Sequence, residues 1–271
     1  MENKRQLSPH EIMALEHPYF ELQAFIGTTK HAGGMTSTKE LIAMCGIGEG
    51  TYVLEVGCGA GATPSYLVKE LGARVVAVDL SPRMIALASE RAQRDGVAAE
   101  IEFQVANACD LPFEADQFDV VMAESVLTFL ADKPVALAEC VRVTRPGGMV
   151  GLNEETWIQA PTPHIARAVA DTWDIDAPVL TSQQWHDLLA QAGLVDVQAM
   201  TSRLQAARDA SQVQRYHLSD MWRMLTRTLR LYLSGAAFRQ YMKQRGQLPR
   251  DIFQYLGYGL YVGRKPKALS H

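Results

Sequence analysis

The sequence predicts an α/β protein built on a doubly wound, mostly parallel sheet. Two observations carry that prediction. Between residues 53 and 153, five short apolar, β-branched runs alternate with stretches of helical periodicity. The first run, Val53-Leu54-Glu55-Val56, ends in three glycines at every second position, Gly57, Gly59 and Gly61, before a helical pattern begins. Glycines at that spacing let the backbone turn sharply and approach a ligand that any Cβ would block. The helix that follows points its free N–H groups at the same place, which suits a nucleotide-like cofactor carrying a carboxylate or phosphate.

The elements follow in order. Arg74 to Val78 is the second strand, and it ends in Asp79, 18 residues beyond Gly61, where this geometry sets an acid for two ribose hydroxyls. Ser81-Pro82 starts a helix, with Ser as N-cap and Pro at the first helical position. Met84, Ile85, Ala88 and Ala92 give it a helical stripe, and Gly96 closes it. Ile101, Phe103 and Val105 mark a third strand, leading into Asn107-Ala108-Cys109-Asp110-Leu111-Pro112-Phe113. A fourth runs from Phe118 to Ala123 and ends in Glu124-Ser125. The turn Arg145-Pro146-Gly147-Gly148 then feeds a fifth, Met149 to Asn153. Strand ends in such a sheet face one crevice, so Gly57, Asp79, Asn107 and Glu124 should converge.

The glycines alone, as Gly57-x-Gly59-x-x-Ala62, also fit some nicotinamide-binding proteins. The ordered combination discriminates. Glu55 before the loop, Val78-Asp79-Leu80-Ser81-Pro82-x-Met84, Asp110-Leu111-Pro112-Phe113, Phe118-Asp119-Val120-Val121 and Arg145-Pro146-Gly147-Gly148 occur in sequence. In this the chain resembles the class I S-adenosylmethionine-dependent methyltransferases, and it is most similar to the small-molecule branch that includes the ubiquinone/menaquinone-biosynthesis enzymes. The similarity covers residues 35 to 155 strongly and 181 to 203 and 252 to 266 more weakly. It implies a Rossmann-like, seven-stranded sheet with S-adenosyl-L-methionine as methyl donor and S-adenosyl-L-homocysteine as product. It also implies roles: Gly57, Gly59 and Gly61 pack against the methionine part, and Glu55 receives its ammonium. Asp79 accepts the ribose hydroxyls, Leu80 covers one adenine face, and the Ala108 N–H meets a ring nitrogen. Relatives usually carry Asp at Asn107, whose amide oxygen can accept the same adenine amino group. Glu124 belongs with both the cofactor set and the candidate catalytic groups. Asp119 and the 145–148 turn read as structural.

Composition points to a soluble, cytoplasmic enzyme. The chain has 271 residues, net charge −4, no apolar leader at its N-terminus and no bilayer-length apolar run. The charge and the lack of basic clusters argue against nucleic acid as a partner and, with the missing span, against membrane insertion. Cys45, Cys58, Cys109 and Cys140 lack metal spacing and read as reduced, mostly buried thiols.

Substrate choice should lie outside the shared core. The sequence divides into an N-terminal lid segment (1–40), the core (41–204), a helical cap (205–250) and the final strand with a tail (251–271). The lid segment holds His17-Pro18-Tyr19-Phe20 and Lys30-His31-Ala32-Gly33-Gly34-Met35, then Thr36, Ser37 and Thr38. It reads either as a closing loop entering a capped helix or as a simple turn with a surface His31. In the cap, Met221, Leu225, Leu229, Tyr232, Phe238, Tyr241 and Met242 fall at helical spacing. They suggest two amphipathic helices, most of the stripe packed inward, the rest lining an apolar, aromatic or amine-accepting pocket or a homodimer face.

Transfer from a sulfonium needs alignment and water exclusion more than side-chain chemistry. A phenol or amine acceptor adds a need for a base. The candidates are Glu124, His31 and Tyr19, followed by Glu154 and Glu155. Relatives often carry a His just after the fourth strand; Leu127-Thr128-Phe129-Leu130 has none. Magnesium held by Glu124, Asn153 and Glu154, as in catechol-type relatives, is a minor alternative, and no metal is expected. Two further alternatives are a non-catalytic S-adenosylmethionine-binding scaffold and a nicotinamide-dependent oxidoreductase.

Overall fold

The computed structural model describes residues 7–15, 18–29, 31–173, 177–204, 216–245, 249 and 251–267. His17, Lys30 and residues 205–215 of the cap lie outside the described residues.

Five parallel strands form the centre: β1 (Tyr52–Val56), β2 (Arg74–Asp79), β3 (Ile101–Val105), β4 (Phe118–Glu124) and β5 (Thr144–Trp157). Between them run α4 (Ala62–Leu71), α5 (Pro82–Asp95) and α6 (Lys133–Val143). After β5 come α7 (Pro163–Trp173), the two-residue β6 (Leu180–Thr181), α8 (Ser182–Gln191) and β7 (Val195–Arg203). The chain closes with α9 (Leu218–Ser234), α10 (Ala236–Arg245), the short α11 (Ile252–Tyr255) and β8 (Leu256–Arg264). The sheet order is β3-β2-β1-β4-β5-β8-β7, with β6 beside β5. Strand β8 runs antiparallel to both its neighbours. β1 lies between β2 and β4, so the winding direction reverses there and opens a crevice at the strands' carboxyl ends.

Side-chain alternation divides the core. Val53, Val75 and Met122 point to the face covered by α3 (Gly34–Cys45), α4 and α5; Leu54, Val76 and Val121 point to the face covered by α6 and α8. Each fully buried aliphatic side chain stabilises the fold by about 1.5–3 kcal/mol relative to exposure. Gly61 allows α4 and α5 to meet: a Cβ there would lie 2.9 Å from the Ala88 Cα.

The structure departs from the sequence reading in five places. β5 continues to Trp157, so Glu154 and Glu155 are strand residues and do not follow the strand. The Arg145–Gly148 turn is a bulge within β5, between the Phe118–Thr144 and Val120–Met149 pairings, and Arg145 reaches Asp119 at 2.7 Å. Residues 252–255 are helical, because Ile252 packs inward with Trp157, Val169 and Leu256. Thr36, Ser37 and Thr38 do not cap a helix: α3 begins at Gly34, so all three lie inside it, and the 40/41 division cuts α3 in two. Finally, much of the cap stripe faces outward. Leu231 and Phe238 are buried against Ile12 and Leu22, whereas Met221, Leu225, Leu229, Tyr232 and Met242 are exposed.

Two short helices, α1 (Pro9–Met13) and α2 (Tyr19–Ile26), precede α3 and supply Ile12 and Leu22 to that contact.

Candidate active site

The glycine loop is held from both ends. Gly57 and Cys58 donate their N–H groups to the Val78 carbonyl at 2.8 and 2.9 Å, fastening the loop to β2. Gly59, at φ +52°, donates to Asp79 Oδ2 at 2.9 Å, and Ser81 donates to Oδ1 at 2.9 Å. Burial raises the Asp79 pKa, and these two N–H donors oppose the rise. Two of its lone pairs are thereby used, leaving acceptor capacity for a vicinal diol. Beside it Leu80 is 69% exposed, an apolar surface next to Asp79. Asn107 and Ala108 follow β3; the Asn107 amide oxygen accepts the Cys109 N–H at 3.0 Å. Glu55 is buried at the end of β1. A loop too tight for side chains, a carboxylate at its rim and an apolar residue beside it fit an adenosyl cofactor with an amino-acid tail.

Facing this half is a buried polar cluster. Glu124, the last residue of β4, accepts from Thr38 Oγ1 at its Oε1 and from Thr63 Oγ1 at its Oε2, both at 2.9 Å. Thr38 comes from α3, and Thr63 sits in the first turn after the glycine loop. The His31 Nε2 lies 3.1 Å from Thr38 Oγ1 and 3.6 Å from Glu124 Oε1. The Asn153 amide nitrogen lies 3.2 Å from His31 Nδ1 and 3.0 Å from Ser37 Oγ. The Thr38 hydroxyl donates to Glu124, and His31 Nδ1 lies 3.2 Å from both the Asn153 amide nitrogen and the Ala32 carbonyl oxygen. His31 is 5% exposed and therefore no surface residue.

Tyr19 sits at the start of α2, its ring 6.0 Å from Phe129 and 5.1 Å from Phe20. Phe20 meets Phe129 edge-to-face at 5.0 Å. Phe129 belongs to a 3₁₀ turn, Leu127–Phe129, directly after β4.

Glu154 and Glu155 serve that turn and not the crevice. Glu154 accepts from the N–H groups of Val126, Leu127 and Thr128 and from the Thr128 hydroxyl, at 2.7 to 3.2 Å. Burial and the neighbouring Glu155 push its pKa up to about 7, against the pull of those donors. Glu155 accepts from Ser125 Oγ at 3.0 Å. With Glu154 turned away from Glu124 and Asn153, the three do not form a cation site. Burial also raises the Cys45, Cys58 and Cys140 thiols, so none is a ready nucleophile.

The sequence reading missed Thr38, Thr63, Ser37 and Phe129 as site residues. Hydroxyl residues near helix starts, and an aromatic after a strand, have no distinguishing pattern; only the hydroxyls' convergence on Glu124 and Asn153 singles them out.

A doubly wound sheet, a glycine loop and a rim carboxylate define a nucleotide-cofactor enzyme. Comparison with known proteins narrows the class. Residues 54–152 match the family described as Methyltransferase domain. An uncharacterized Haemophilus influenzae protein is 30% identical over 195 residues, covering 71% of this chain and 78% of that one. Phosphoethanolamine N-methyltransferase 1 of Arabidopsis thaliana is 30% identical over 182 residues, covering 65% of this chain but only 34% of that longer protein. Among solved structures, phosphoethanolamine N-methyltransferase 2 of Haemonchus contortus in complex with S-adenosyl-L-methionine has TM-score 0.68 at 18% identity, covering 97% of this chain and 59% of that one. The chain belongs to the class I S-adenosylmethionine-dependent methyltransferases.

Proposed function

We propose that the protein methylates a small molecule at a nitrogen, the acceptor being an amine that is cationic in solution. The observation that carries this is the buried Glu124, hydrogen-bonded on one side to the helix after the glycine loop and on the other to α3. That placement sets an anion and His31 beside the cofactor half of the crevice. The cofactor supplies an electrophilic methyl on a sulfonium. In this reading the chain's residues do the rest. Gly57, Gly59 and Gly61 seat the methionine end, and Glu55 takes its ammonium. Asp79 holds the ribose, while Leu80, Asn107 and Ala108 hold the adenine. The rings of Tyr19, Phe20 and Phe129 give the acceptor π faces suited to a cation. The nucleophile must be the neutral amine. Its proton therefore passes to the His31–Thr38–Glu124 chain, on which a carboxylate stabilises the imidazolium. His31 and Glu124 are both buried, so the described residues 18–29 and 31–33 act as a lid that opens for exchange. The sequence relationship to a phosphoethanolamine N-methyltransferase supports the amine over a phenol.

Calorimetry with S-adenosylmethionine and S-adenosylhomocysteine, for wild type and Asp79→Ala, tests the cofactor half. The variant is expected to lose about 1–3 kcal/mol through lost charged hydrogen bonds; equal affinity removes Asp79 from the site. S-adenosylhomocysteine release with amine and phenol panels tests the acceptor half. Turnover confined to phenols overturns the amine reading.

A further inference from the structure

The chain carries a net charge of −4, yet residues 216–245 hold six Lys or Arg against one acid, Asp220. These residues form α9 and α10. The inner side of α9 is committed: Asp220 pairs with Arg91 and Arg94, Arg227 donates to the Phe25 carbonyl, and Leu231 is buried. The opposite side is apolar and, among the described residues, largely exposed. Leu218, Trp222, Leu225, Leu229, Tyr232 and Leu233 recur at helical spacing, with Leu218 85%, Trp222 68% and Leu233 72% exposed. Arg230 follows one edge of this stripe, Arg223 beside it pairs with Glu90 of α5 at 3.1 Å, and Arg239 and Lys243 stand exposed on α10.

We propose that this face docks the protein on an anionic lipid bilayer, α9 lying in the interface plane. The stripe runs the length of a helix of about 26 Å. An apolar face containing Trp and Leu, low net hydrophobicity and edge arginines are the features of a helix that rests in the headgroup layer. The cation excess is complementary to anionic headgroups, each basic group near the surface adding attraction. A second copy fits less well. Apposing two α9 faces brings the two copies of Arg230 towards each other, and Asp220, the helix's only acid, is turned inward to Arg91 and Arg94. No described helix is long and apolar enough to cross a membrane, so docking is peripheral. It is also independent of which acceptor the crevice takes.

Flotation of the full chain with two vesicle types tests the proposal: phosphatidylcholine alone, and phosphatidylcholine with an equal part of phosphatidylglycerol. The protein is expected to float with the mixed vesicles and about tenfold more weakly with the neutral ones. Trp222→Ser with Leu225→Ser should abolish flotation. Arg230→Glu with Lys243→Glu should reduce it to the neutral-vesicle level. Unchanged S-adenosylmethionine affinity in both variants establishes that they fold. Three results overturn the proposal: no flotation with either vesicle, flotation that the apolar double variant leaves intact, or a wild-type dimer in light scattering that the same variant splits. The last assigns the face to a second copy.

Discussion

The Tyr216 hydroxyl bonds both backbone groups of Thr29, accepting its N–H at 2.8 Å and donating to its carbonyl across 187 positions of sequence. Thr29 in turn lies against Gly59: a Cβ on that glycine would sit 2.3 Å from Thr29 Cγ2. One phenol thus ties the start of the cap to the segment lying on the glycine loop. Arg91 makes a parallel tie, donating to the Ala60 carbonyl in the loop and pairing with Asp220 of α9. The N-terminal segment and the cap thus meet over the loop.

Tyr216→Phe should loosen this segment without unfolding the core. Losing both bonds removes about 1–3 kcal/mol of local stability, so hydrogen exchange at residues 25–29 should accelerate while α5 stays protected. Equal protection in the variant shows that packing alone holds the segment.

Gly59 and Gly61 should fail differently when changed to Ala. At Gly59 the new methyl meets a side chain on the covering segment, so the fold survives and cofactor affinity drops. At Gly61 it meets the Ala88 backbone at φ +75°, and α5 must shift. That shift should cost about 1–3 kcal/mol as overpacking. Thermal melts and calorimetry on the two variants separate the effects; matching profiles refute the distinction.

Glu154 should make stability fall as pH rises. Its folded pKa of about 7 stands above the ordinary 4.5, so between those values the folded chain holds a proton that the unfolded chain has released. The contribution is complete below the lower value and lost as pH passes the higher one, roughly 3 kcal/mol in all. Glu155, also raised by burial, adds in the same sense. Denaturant midpoints between pH 5 and 8 should slope downward, less so in Glu154→Gln. A slope identical to wild type would clear Glu154.

Glu124→Gln keeps hydrogen-bonding groups for Thr38 and Thr63 but removes the charge. It should raise KM for an amine acceptor more than it weakens S-adenosylmethionine binding. His31→Phe should lower kcat by about 10²–10⁴ as a lost proton acceptor. If pH profiles of kcat are superimposable on wild type, His31 is a packing residue.

Truncation before residue 39 should not yield a sound core. It cuts α3 and removes the buried Ala32, Met35, Ser37 and Thr38 from against the sheet, so the thermal melt of the truncated chain should broaden and shift down; an unchanged melt would refute this.

The sequence alone determined the parallel sheet, the glycine loop, Asp79 at the rim and Glu124 at a strand end. These are local signals: strand periodicity, positive-φ turns and short-range spacing within one strand–loop–helix unit. Asp119 reads as structural only through the family resemblance, and in the fold it pairs with Arg145 and accepts the Tyr52 N–H. Tertiary structure decided what local pattern cannot encode. His31, Thr38 and Asn153 are polar residues with no shared motif, joined only because α3 packs on β5. The stripe of α9 has one periodicity whether it faces the core or solvent. Which way it turned depended on Asp220 finding Arg91 and Arg94 and on Arg227 finding the Phe25 carbonyl. Helical spacing says that a face exists; only the partners across the fold say which face is buried.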